Sequence, residues 1–247
     1  MANDKLNESE PGPKLPVEAE LTRSSGDQFA EELRGFGAFG ILAMLVIYFS
    51  NNVFIGNVLI PVGAILTLLW ARRSHTPLRE IGYVRPRSWI GSLFIGLFLG
   101  IAFKLFMKAI VMPLLGAEAI NQPYHYLVGN RTALPGAIWT MIIAGFGEET
   151  VFRGFMFERF GKLFGNGVGA KTLIVLITSA LFAMGHYTNL GLTGVEQAMI
   201  TGLLFGTIFA ATGRIFLVMV VHSAFDLASL AIIYCNLESY VAHLFFK

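Results

Sequence analysis

The stretch Pro135-Gly-Ala-Ile-Trp-Thr-Met-Ile-Ile-Ala-Gly-Phe-Gly-Glu-Glu-Thr-Val-Phe-Arg-Gly-Phe-Met-Phe157 decides the fold class. It is long enough to cross a bilayer as a helix, for which about 20 apolar residues suffice. Its only ionisable residues are Glu148, Glu149 and Arg153, set among apolar neighbours rather than along a continuous polar face. A charge near the centre of a span costs about 2.5 to 3.5 kcal/mol. Such residues must be paired, protonated or hydrated, and they mark functional sites.

Working outward, comparable apolar runs lie at 36–50, 55–71, 90–112, 172–188, 196–212 and 215–235. With 135–157 they predict an all-α polytopic membrane helix bundle of about seven transmembrane helices. Composition agrees: 55% of the 247 residues are hydrophobic, 14% are charged, and the mean hydropathy is +0.64. A soluble domain is closer to half apolar and one quarter charged. The length leaves no room for a second folded domain, so residues 35–247 are expected to form a single transmembrane domain. Residues 1–34 hold eight of the sixteen acidic residues and three prolines. They read as a disordered cytoplasmic tail, too poor in apolar side chains to repay ordering.

The net charge of +2 and the absence of a dense basic run argue against a nucleic-acid partner. The single Cys235 excludes a disulfide framework. The bilayer is the first expected partner, with a peptide or membrane-protein substrate beside it; oligomeric state is left open. Arg72, Arg73, Arg79, Arg85 and Arg87, then Arg159, Lys162 and Lys171, then Arg214 fall in alternate loops, whereas the opposite loops offer only Arg131. Cytoplasmic loops retain positive charge, which places this multi-pass protein in the cell membrane with its N-terminus cytoplasmic and its C-terminus outside. The segment from His75 to Trp89, bracketed by Pro77 and Pro86, reads as a short interfacial piece.

Spacing sorts the buried charges. Adjacent helical residues point about 100° apart, so Glu148 and Glu149 face different ways. Arg153 lies four residues after Glu149 and shares its face, which suits an ion pair. Glu148 is left without a dedicated cation, as a general base requires. Later spans carry two further pairs at the same spacing, Phe182 with His186 and His222 with Asp226. Measured from the cytoplasmic ends at about 1.5 Å per residue, Glu148, His186, His222 and Asp226 fall within roughly 10 Å of one another in depth.

Two mechanisms fit this set. In one, Glu148 activates water with help from His186, while His222 and Asp226 stabilise the oxyanion, and no cofactor is required. In the other, zinc or another divalent metal is held by His186, His222 and a carboxylate such as Glu148. The His-Glu-x-x-His spacing of many zinc proteases is absent.

The motifs Glu148-Glu149-Thr-Val-Phe-Arg153, Phe182-Ala-Met-Gly-His186 and His222-Ser-Ala-Phe-Asp226 resemble, in order and on successive spans, those of the CPBP or Abi membrane family that includes the type II CAAX prenyl endopeptidases. The resemblance covers residues 135–230. It implies an intramembrane endopeptidase that hydrolyses a peptide bond of a membrane-associated protein or peptide. It assigns Glu148 and His186 to the nucleophilic water and His222 with residue 226 to the oxyanion, with Glu149, Arg153 and Phe182 in support. Asp226 departs from the pattern, because well-known eukaryotic members carry Asn there.

The alternative is a non-proteolytic membrane scaffold, an immunity protein, or a proton-coupled transporter using the same polar cluster. No inverted repeat of interrupted spans supports transport. Under the leading reading, cleavage is expected near the cytoplasmic half of the membrane. Lys108 is expected to snorkel, and the deeper Lys104 to line the cavity or pair between helices.

Overall fold

A computed structural model describes residues 25–52 and 60–246, and all regular structure among them is helical. Helices α1 (Ser25–Arg34), α2 (Ala38–Asn52) and α3 (Ile60–Arg73) come first, followed by a 3-10 turn at Leu78–Ile81. Helix α4 (Trp89–Phe106) runs through a π-helical turn, Met107–Val111, into the short α5 (Met112–Leu114). Helix α6 (Leu134–Glu149) continues through a second π-helical turn, Thr150–Met156, into α7 (Phe157–Phe164). Then come α8 (Val168–Met184), α9 (Tyr187–Thr212), α10 (Ile215–Tyr234) and α11 (Glu238–Ala242). The apolar runs read from the sequence are mainly helical, with a bend at 36–37 and a turn at Gly185–His186 inside the run 172–188; part of 55–71 lies outside the described residues.

Among the described residues three helices are long and apolar enough to cross a membrane: Trp89–Leu114, Tyr187–Thr212 and Ile215–Tyr234. A fourth is added if Gln28–Arg34 and Ala38–Ser50, bent by 57°, act as one span. By length and composition the described helices thus support three or four crossings; the other apolar runs form shorter helices, such as Val168–Met184, that this measure does not count. The outward surface is nonetheless that of a membrane protein. On α4, Ile90, Phe94 and Phe98 are 70%, 67% and 71% exposed, a stripe at a spacing of four that water would penalise and lipid would not.

The inner faces meet through small residues. On α4, Gly96, Gly100 and Lys104 are buried at a spacing of four, and the two glycines lie against α10. A Cβ on Gly96 would stand 2.8 Å from Val220 Cβ, and one on Gly100 would stand 2.6 Å from Ala224 Cβ. Gly145 of α6 meets α10 in the same way, with a Cβ falling 2.7 Å from the Ser223 backbone nitrogen. Gly202 and Gly206 of α9 lie on Ser179 and Val175 of α8. Small residues are what allow helix backbones to approach this closely in a bilayer.

Two aromatic-rich cores result, one containing Trp70, Phe152, Phe155 and Phe182, the other Phe205, Phe209 and Phe225. The second π-helical turn, whose seven residues are all buried, supplies Val151, Phe152, Phe155 and Met156 to the first of them.

The expectation of a disordered tail over 1–34 needs correcting at its end. Residues 25–34 form α1; the rest of the expected tail lies outside the described residues. The last carbonyls of α1 are held by the bundle: Trp70 Nε1 donates to Leu33 O at 3.1 Å and Arg159 Nη1 to Arg34 O at 2.7 Å. Arg159 is fully buried, pairs with Glu158 at 2.5 Å, and stacks over Trp70. Terminal helix carbonyls lack intrahelical partners, so two buried donors can dock a helix that its own composition would leave unanchored.

Candidate active site

The sharp feature is the transition from α6 into the π-helical turn. A π turn carries one residue more than an α turn and commonly occurs at functional sites. Here it follows directly on Glu149. Thr150 is held by donating to Phe146 O at 2.7 Å and by a hydroxyl contact with Tyr83 at 2.8 Å. Nothing in the 3.6-residue hydrophobic pattern announces this turn.

Glu149 is fully buried, and its Oε1 accepts from Arg153 Nη1 at 2.9 Å, the pair expected from the spacing. The same oxygen lies 2.7 Å from His222 Nδ1. A carboxylate that accepts from Arg153 can only accept from the imidazole as well, so Nδ1 carries the proton and donates. Arg153, also fully buried, gives Nη2 to Gly202 O at 3.0 Å. Its guanidinium packs on the rings of Phe182, 4.9 Å away, and Phe205, 5.7 Å away. One arginine therefore ties the π turn to α8 and α9, and one carboxylate orients the imidazole of α10.

His222 then presents Nε2 to two other carboxylates. Asp226 Oδ2 is 3.4 Å away and Glu148 Oε2 is 3.9 Å away. Glu148 has no Lys or Arg within ion-pair distance among the described residues; its ionisable neighbours are His186, His222, Asp226 and Glu149, with Arg153 acting on it from farther away. The ring of His222 lies between Phe182 and Phe205, at centroid distances of 5.9 and 5.0 Å. His186 Nδ1 is 2.9 Å from Phe182 O. A carbonyl only accepts, so Nδ1 is protonated and Nε2 of the neutral ring keeps its lone pair. Phe182 thus serves both imidazoles, with its carbonyl on one and its ring on the other.

Glu148, His186, His222 and Asp226 line one cavity of about 150 Å³. From Glu148 and His222 it runs past Thr140 and Ser229 to Tyr124, Thr188 and Asn189. Thr188 and Asn189 are exposed. Those last residues belong to the chain ends opposite the arginine-rich loops. The cavity lining therefore extends from the catalytic pair toward the end of the bundle away from the arginines. Helix α9 assists by breaking at Gly191, which has φ 62°, a conformation open to glycine.

Among the described residues no group of three or more His, Cys, Asp or Glu side chains is placed to hold a metal ion. Other residues escaped the sequence reading altogether. Gln197 lines the cavity and accepts from Lys104 Nζ at 3.2 Å. Lys108, which the sequence reading did single out, has its ammonium tied to Ala119 O at 2.5 Å and Glu238 at 3.4 Å.

Residues 130–228 match the family model described as type II CAAX prenyl endopeptidase Rce1-like. No curated protein and no solved structure matches the chain.

Proposed function

We propose that this chain, which belongs over residues 130–228 to the type II CAAX prenyl endopeptidase Rce1-like family, is an intramembrane endopeptidase in which Glu148 activates water. The observation that carries the reading is a buried carboxylate with no Lys or Arg within ion-pair distance among the described residues, on the wall of a cavity it shares with His186, whose Nδ1–H is held by a carbonyl, and with His222, an imidazolium held between Glu149 and Asp226. Glu148 takes a proton from a water whose second hydrogen bonds to the lone pair on His186 Nε2. The resulting hydroxide attacks the scissile carbonyl, and the oxyanion accepts from Nε2–H of the His222 imidazolium, whose Nδ1–H stays on Glu149. Collapse breaks the C–N bond, and Glu148 returns its proton to the leaving amine. Asp226 holds Nε2–H before substrate arrives and shares it with the oxyanion afterwards. Glu149 fixes the ring from the other side, and Arg153 fixes Glu149.

Purified protein in lipid nanodiscs, given a peptide library read by mass spectrometry, tests this. Wild type is expected to release defined fragments, and 1,10-phenanthroline or EDTA is expected to leave the rate unchanged. No cleavage of any peptide, together with solute or proton flux in liposomes, would sink the protease reading. Inhibition by chelator and rescue by zinc would sink the metal-free mechanism.

The same reading places seven crossings in the cell membrane, with the N-terminus and the arginine-rich loops in the cytoplasm. The cavity then opens outside, and substrate comes from that side. Cys235 is exposed, lies at the end of α10, and is the only cysteine, so it is a built-in reporter. On intact cells a membrane-impermeant maleimide is expected to label wild type and not Cys235→Ser. Labelling only after the membrane is permeabilised would reverse the orientation.

A further inference from the structure

Beside the catalytic cavity lies a second one of about 370 Å³, separated from it by side chains lining both, Gln197 and Ser229 among them. Both Lys104 and Lys108 line it. Their charges are treated differently. Lys108 is matched by Glu238. Lys104, only 5% exposed, makes one polar contact, to the neutral Gln197 Oε1, and its ammonium sits 4.8 Å from the ring centroid of Phe225. Among the described residues no carboxylate comes within 4.0 Å of it.

A buried cation costs several kcal/mol unless it is paired. An amide oxygen and an aromatic face offset part of that cost, and the carboxylates that act on it, Asp226 and Glu238, stay beyond ion-pair distance. Helix packing alone does not call for a lysine here, because the neighbouring seam positions, Gly96 and Gly100, are small and apolar. Phe225 and Gln197 connect the ammonium to the catalytic wall, since both also line the first cavity.

From this geometry we infer that Lys104, supported by Gln197, is a subsite for a carboxylate on the substrate, a short distance along the chain from the bond that is cut. The inference rests on the protease reading above. The carboxylate has two sources, the substrate's own C-terminus or an Asp or Glu side chain beside the scissile bond. An ammonium meets either as a point charge.

The test uses full-length protein in nanodiscs and fluorescent decapeptides selected for binding to Glu148→Gln protein. Each is made as the free acid, as the C-terminal amide, and as an amide carrying one glutamate. By anisotropy, one carboxylate-bearing form is expected to bind about ten- to hundredfold more tightly than the plain amide, the range for a hydrogen bond to a charged group. Lys104→Met is expected to abolish that preference and Lys104→Arg to retain it. Preference for the free acid identifies the C-terminus; preference for the glutamate amide identifies a side chain. Equal binding of all three forms, a preference that survives Lys104→Met, or no binding by any member overturns the subsite. Turnover by wild type is read in parallel. Cleavage without preference removes the subsite alone, whereas preference without cleavage removes the protease reading and leaves the subsite.

Discussion

Glu148→Gln protein is expected to fold and bind peptide normally while kcat/KM for cleavage falls by about 10²- to 10⁴-fold, the range associated with a positioned general base. Glutamine keeps the shape and the hydrogen-bonding oxygen of the side chain but cannot take a proton from water. It also removes a negative charge from a buried position that has no cation partner, so stability is expected to hold or rise. A loss of activity accompanied by unfolding would leave a structural role for Glu148 in place of a catalytic one. Retained activity in a folded variant would remove Glu148 from the chemistry outright. Glu149→Gln provides the contrast. Its Oε1 serves Arg153 and His222, so that substitution is expected to disturb stability and orientation together.

Arg153→Met is expected to be the most destabilising single change in the catalytic region. It leaves Glu149 fully buried with His222 as its remaining partner and strips Gly202 O of its donor. Breaking one side of a buried ion pair costs about 3 to 5 kcal/mol. The thermal midpoint in detergent should fall well below that of wild type. Arg153→Lys should fall between the two, because an ammonium cannot span the carboxylate and the carbonyl as the guanidinium fork does. The double variant Glu149→Gln with Arg153→Met should recover much of the loss, since no buried charge is then left unpaired. A midpoint for Arg153→Met within about 2 °C of wild type, where 1 kcal/mol corresponds to roughly 2 to 4 °C in a chain of this size, would show that the network is not what holds the π turn.

Local relations were legible before any fold was known. Helix periodicity determines that Glu149 and Arg153 share a face while Glu148 points elsewhere, and the pair is found at 2.9 Å. Apolar length determines where the helices run, and alternate loops show which ends of the bundle carry the arginines. These features depend on residues within a few turns of one another, and backbone geometry relates such residues directly.

What the bundle alone decided lies at long range. The bond between His222 and Glu149 joins residues 73 apart in sequence, and Arg153 reaches a carbonyl 49 residues away. Both depend on close approach of α6 to α10 and of α9 to α8, which Gly145 and Gly202 permit by having no side chain where Ser223 and Ser179 pack. The π turn, the docking of α1 by Trp70 and Arg159, and the path of the cavity away from the arginines arise in the same way. Sequence determined which residues carry charge into an apolar interior and which share a helix face. Tertiary packing decided which of those charges meet, because partners for buried groups are assigned by helix contacts that no local periodicity encodes.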